Sequence, residues 1–142
     1  MSWNTQFDQS KTLFLFGGAV LVLLLITYMV FHREPEKPVH SLPQVQTSDF
    51  ESKVLRADTS VLVDFYADWC PPCRQMEPIL KEFASENPKV KVVQVNVDEN
   101  PELAGQYNIN SIPTFLVFQK GALTAQRSGK MEKDTLQALF DN

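Results

Sequence analysis

"VLVDFYADWCPPCRQMEPILKEFA", Val61 to Ala84, changes its hydrophobic rhythm at a pair of cysteines. Before them, "SVLVDFYA", Ser60 to Ala67, is a β-rich apolar run of the kind buried on both faces of a sheet. After them, Met76, Ile79, Leu80 and Phe83 recur at helical spacing and predict an amphipathic helix. Cys70 therefore stands at a helix N-terminus at the C-terminal edge of a strand, and Cys73 lies one turn further on.

These are the only 2 cysteines in the chain. Structural zinc takes four ligands, commonly as two such pairs, so a single CxxC favours disulfide exchange and no metal is expected. Inert buried thiols fit poorly with this place on a first helical turn. Cys70, among the unpaired N–H groups and near the positive end of the helix dipole, is read as the nucleophile. Cys73 returns to the same face and is read as the resolving thiol, giving a redox disulfide Cys70–Cys73. Pro71 and Pro72 fit a first turn, where their missing N–H groups have no intrahelical use. They also remove donors that would solvate the Cys70 thiolate and add no positive charge. Less thiolate stabilisation makes a less oxidising couple, so the expectation is a reductase or isomerase and not a disulfide donor.

The chain has 142 residues, a formal charge of -4, 44% hydrophobic and 21% charged residues, which suits one globular domain plus something extra. Its Lys and Arg are scattered among Asp and Glu, so nucleic acid is excluded as a partner. No internal repeat or low-complexity tract occurs. With no flavin, nicotinamide or metal motif, no cofactor is expected in this chain.

The extra part is "LFLFGGAVLVLLLITYMVF", Leu13 to Phe31, which carries no charge. At roughly 1.5 Å per residue it reaches about 28 Å, close to the thickness of a bilayer core. A cleaved signal peptide has a shorter apolar region and small residues at its end, whereas Tyr28, Met29, Val30 and Phe31 end this one. The expected organisation is a tail (1–12), a transmembrane anchor (13–31) that engages the bilayer, a Pro-rich tether (32–42) and a folded domain (43–142). Lys11 precedes the anchor and Arg33 and Lys37 follow it, so the flanking charge does not settle topology. His32 and His40 read as solvated tether residues.

Within the domain, Ser48 and Glu51 fit a capping box opening a short helix over Phe50 to Leu55. Val90 to Val97 is a second strand, parallel to the first across a right-handed crossover. Pro101 begins a short helix, and "TFLVFQ" and "LTAQRS" flank a Lys120-Gly121 turn as an antiparallel hairpin. Leu136, Ala138, Leu139 and Phe140 belong to a last helix. The order β-α-β-α-β-α-β-β-α gives an α/β fold, a mixed central sheet with helices on both faces.

"VLVDFYADWCPPC", "NINSIPTFLVF" and "GKMEKDTLQALF" together resemble the thioredoxin family over roughly residues 43 to 142. The resemblance implies the thioredoxin fold, with Pro113 in the cis form facing the disulfide and the backbone at Ile112 pairing with an extended substrate. It implies Trp69 on the surface beside the thiols, Gly129 where substrate approaches them, and a helix-kinking Pro78. It makes Asp64 a buried proton acceptor for Cys73. The residues alone also allow Pro113 to start a strand and Asp64 to face solvent from an edge strand. Many thioredoxins pair this aspartate with a lysine on the next strand, whereas this chain has Gln94.

The implied activity is that of a membrane-anchored thiol-disulfide oxidoreductase, a protein-disulfide reductase. Its partners would be disulfide-containing proteins and a membrane or soluble thiol electron donor. The implied place is a bacterial inner membrane, single-pass, with the domain on the periplasmic side, or alternatively on the cytoplasmic face. Two other readings stay open: a thioredoxin-fold binding or assembly module, and an apocytochrome c thiol reductase. Against the last, the spacing from Cys73 to Pro113 leaves no room for the central insert of cytochrome-c-maturation thioredoxins.

Overall fold

The computed structural model describes residues 9–31 and 42–141, with side chains in the first stretch described from Val20 onward. Most of the expected tail and tether, with His32 and His40, lies outside the described residues. Helix α1, Gln9–Phe31, contains the expected anchor. Its large apolar side chains from Val20 to Phe31 are each more than half exposed. Thr27 turns its hydroxyl back onto the carbonyls of Leu23 (3.0 Å) and Leu24 (2.9 Å), which satisfies its donor within the helix. Among the described residues no helix is long and apolar enough to cross a membrane.

The second unit holds α2 (Thr47–Phe50, running on into a π-helical turn Glu51–Leu55), β1 (Ser60–Tyr66) and α3 (Pro71–Glu86). There follow β2 (Val90–Asn96), α4 (Pro101–Gln106), β3 (Thr114–Gln119), β4 (Ala122–Ser128) and α5 (Lys133–Ala138). The sheet order is β2-β1-β3-β4. β1 pairs parallel with β2, while β3 is antiparallel to both β1 and β4. This mixed sheet agrees with the expected α/β architecture, and its two packed faces follow from alternation along β1. Val61, Val63 and Phe65 pack with Phe50, Val54 and Leu103 on one face. Leu62 packs with Met76, Leu80, Phe83 and Leu136 on the other. Asp64 has the parity of Leu62, so it falls on the face that α3 covers.

Three expectations need correction. The leading strand is a single bridge, Gln44 to Gln94, because Pro43 has no donor and the chain turns at once into α2. The first helix is capped not by Ser48 and Glu51 but by Gln46, whose N–H donates to Asp49 (2.8 Å). It starts early because Asn100, from a distant loop, accepts the Thr47 N–H (2.8 Å) and hydroxyl (3.0 Å). Strands β1 and β2 also end one residue sooner than read. The hairpin turn lies at Lys120 (φ 51) and Gly121 (φ 80), and a Cβ on Gly121 would come within 2.5 Å of the Leu55 carbonyl oxygen.

Candidate active site

β1 ends at Tyr66, and a short turn carries the chain into α3, closed by a hydrogen bond from the Cys70 N–H to the Ala67 carbonyl (3.1 Å). Cys70 is the N-cap of α3, extended at φ -88, ψ 105. An N-cap side chain accepts from the second or third helical N–H. Pro71 and Pro72 occupy the first two helical positions, so the Cys73 N–H is the donor that reaches the Cys70 Sγ, at 3.2 Å. Cys70 and Cys73 are joined as a disulfide with their Cα atoms 5.3 Å apart. Both are buried against Tyr66 and Ala67, with Val97 and Ile112 packed beside them.

Trp69 is 65% exposed next to the disulfide, and its Nε1–H donates to Asp98 (2.8 Å). The Ile112–Pro113 peptide is cis. The Pro113 carbonyl accepts from the Gly129 N–H (2.8 Å). Gly129 has φ +91, and a Cβ there would meet nothing within 4 Å. Its glycine thus serves the backbone conformation and leaves open space beside Pro113. A shallow groove of about 310 Å³ runs along Trp69, Val97, Ile109 and Ile112. Wider clefts of about 550 and 460 Å³ lie at Arg127 to Thr135 and at Gln46 to Glu102, and neither is lined by a cysteine.

Behind the disulfide, Asp64 is fully buried and faces Gln94 in the β1–β2 register. The Gln94 Nε2–H donates to Asp64 Oδ2 at 3.0 Å, so the group facing the carboxylate is a neutral amide. A cleft of about 10 Å³, roughly one water, is lined by Tyr66, Ala67, Cys73, Arg74, Glu77 and Gln94. It lies between Cys73 and the amide bonded to Asp64. Among the described residues no group of three His, Cys, Asp or Glu could hold a metal ion.

The sequence reading missed Tyr66 and the loop behind Trp69. The Tyr66 hydroxyl accepts from Gln44 (2.8 Å), and its pKa is pushed up to about 12, first by burial and then by the negative charge of Asp68. Asp98 is held by its own N–H on Asn96 (2.9 Å), whose carbonyl accepts from Asn100 (3.0 Å). The polar run Asn96 to Asn100 directly after a strand was the available signal, since Asn96 and Asn100 are both buried.

The thioredoxin family model matches residues 41–142. Thioredoxin 1 of Nostoc sp. is 48% identical over 99 residues, covering 69% of this chain and 92% of the relative. The thioredoxins of Rickettsia bellii (42% over 99 residues, 69% of this chain and 94% of the relative) and Synechocystis sp. (43% over 100 residues, 70% and 94%) are similar to this chain at somewhat lower identity.

Proposed function

The chain belongs to the thioredoxin family and is a thiol-disulfide oxidoreductase, and we propose that it acts as a membrane-anchored reductase of protein disulfides. The observation that carries the reductive direction is the N-cap of α3: the Cys70 sulfur accepts from the Cys73 N–H, and prolines fill the two positions before it. A thiolate so sparsely solvated is a weakly stabilised reduced form, which gives a reducing couple.

In the cycle, the Cys70 thiolate attacks a substrate disulfide, forming a mixed disulfide and releasing one substrate thiolate. Cys73 then passes its proton toward Asp64 across the one-water cleft and attacks the Cys70 sulfur. The second substrate thiolate leaves, and the Cys70–Cys73 disulfide is closed. Two electrons from a membrane or soluble thiol donor reopen it. Trp69, Ile112 and Pro113 line the approach, with Gly129 leaving room for an extended substrate chain.

Anchoring is supported by the uncharged segment Leu13 to Phe31 within α1 and by the family match beginning only at residue 41. We place the domain on the periplasmic side of a bacterial inner membrane, where a membrane electron carrier supplies the electrons. A tether confines the domain to a thin layer and raises its effective concentration for partners in that membrane.

The reduction potential of the full-length chain, equilibrated against defined thiol buffers, tests the direction. A value near about -270 mV is expected, and one near about -120 mV overturns the reductase reading. Release of the chain by alkaline extraction of membranes would overturn the anchor, and protease protection of the domain in intact spheroplasts would overturn the periplasmic placement.

A further inference from the structure

Gln94 is held from two sides. Its backbone is clamped to the start of the domain, with Val45 N–H donating to its carbonyl (2.9 Å) and its own N–H donating to the Pro43 carbonyl (2.9 Å). Its side chain is 2% exposed and ends on Asp64, where Nε2–H donates to Oδ2 at 3.0 Å. The other head-group atom, Oε1, is buried without a hydrogen-bond partner. An unsatisfied acceptor in such a site costs free energy unless another state of the site fills it.

The chemistry of the head group supplies that state. A carboxylate only accepts hydrogen bonds, whereas a carboxylic acid also donates one; a carboxamide carries both a donor and an acceptor. We infer that Gln94 is a positioning residue that holds Asp64 in both of its protonation states. Nε2–H serves the carboxylate before proton transfer, and Oε1 accepts the carboxyl O–H after it. The inference rests on the reading of Asp64 as the proton acceptor. In that step the Cys73 thiol gives its proton to Asp64 as its sulfur bonds to Cys70. The bond from Cys70 to the substrate sulfur breaks, and that sulfur leaves with the electron pair as a thiolate. A lysine at position 94 would offer donors alone, and its charge would hold the carboxyl ionised. The amide therefore keeps Asp64 able to take a proton and to give it back.

The groups facing this site are few. Cys73, Arg74 and Glu77 of α3 and Tyr66 line the cleft beside Gln94. β3 sets Phe115 opposite Asp64, and Met131 and Leu136 on the same face bring no charge.

The test is the titration of the Asp64 carboxyl, followed by its carbon-13 shift in the reduced full-length protein and in Gln94→Lys and Gln94→Met. An opposite charge at this range lowers a carboxyl pKa by about 1 to 3 units. The lysine variant should move the midpoint down by that much. The methionine variant loses the charge-assisted bond to the carboxylate and the weaker neutral bond to the acid, so it should move the midpoint up. A purely structural role destabilises both variants without opposite shifts. Midpoints that stay in place, or that move the same way, overturn the inference; if the lysine variant does not fold, an unmoved midpoint in Gln94→Met does so alone. The titration does not depend on turnover, so failure of the underlying reading is seen separately, as an unchanged rate of Cys73 attack in Asp64→Asn.

Discussion

Pro72→Ala restores one backbone N–H at the second helical position, one of the two from which an N-cap side chain accepts. In the native protein the Cys70 sulfur has the Cys73 N–H at 3.2 Å, and neither proline can donate. A hydrogen bond to a charged group is worth about 1.5 to 3 kcal/mol. For a two-electron couple about 30 mV corresponds to 1.4 kcal/mol, so full delivery of that energy to the reduced form raises the potential by about 30 to 65 mV. The same energy lowers the Cys70 thiol pKa by about 1 to 2 units. Both quantities are measurable on one preparation, the potential by equilibration with thiol buffers and the pKa by thiolate absorbance. The two shifts must agree in sign and scale. A Pro72→Ala protein with an unchanged or more negative potential refutes the account of the prolines, as does a raised potential without a lowered thiol pKa.

Asp64→Asn should slow the attack of Cys73 on the mixed disulfide by on the order of 10²-fold while sparing the first attack by Cys70, in single-turnover kinetics; equal slowing of both steps would remove its assigned role. Tyr66, buried with its pKa raised to about 12, keeps its proton in the folded protein at pH values where the unfolded chain has lost it. The unfolded state then binds fewer protons, so stability should fall as pH rises from about 10 to about 12. In Tyr66→Phe, urea midpoints across that range should lose this part of the decline. Gly129→Ala forces a Cβ onto a backbone at φ +91. The methyl meets nothing of this chain within 4 Å, so strain alone should cost about 1 to 3 kcal/mol in urea denaturation, and a stability equal to the parent would contradict it.

The strand, turn and helix around the cysteines were legible because they are local: a period-2 run gives way to helical spacing at a residue that can cap. Asp64 stood out as a polar residue in an apolar run and Gln94 entered only through the family resemblance; that they meet follows from the parallel register, which no local pattern encodes. The Gln46 cap escaped for a similar reason. Ser48 and Glu51 have the better capping signature, yet Asn100 satisfies the donors of Thr47 from more than fifty residues away. The Trp69–Asp98 bond likewise joins two loops that are separate in sequence. Side chains that bind across the fold become readable only when the fold is known.

The bridge at Gln94 has a mechanical side. The described domain begins at Leu42, and Leu42 and Val45 are both buried. Any tension reaching the domain through that end is carried first by the Val45–Gln94 and Gln94–Pro43 bonds and by the Gln44–Tyr66 contact. The residue bearing that load is the same one whose amide grips Asp64. Force applied at Leu42 is thereby felt one side chain away from the buried Asp64, so that the seating of the domain's first residues and the surroundings of that carboxylate share a single fastening.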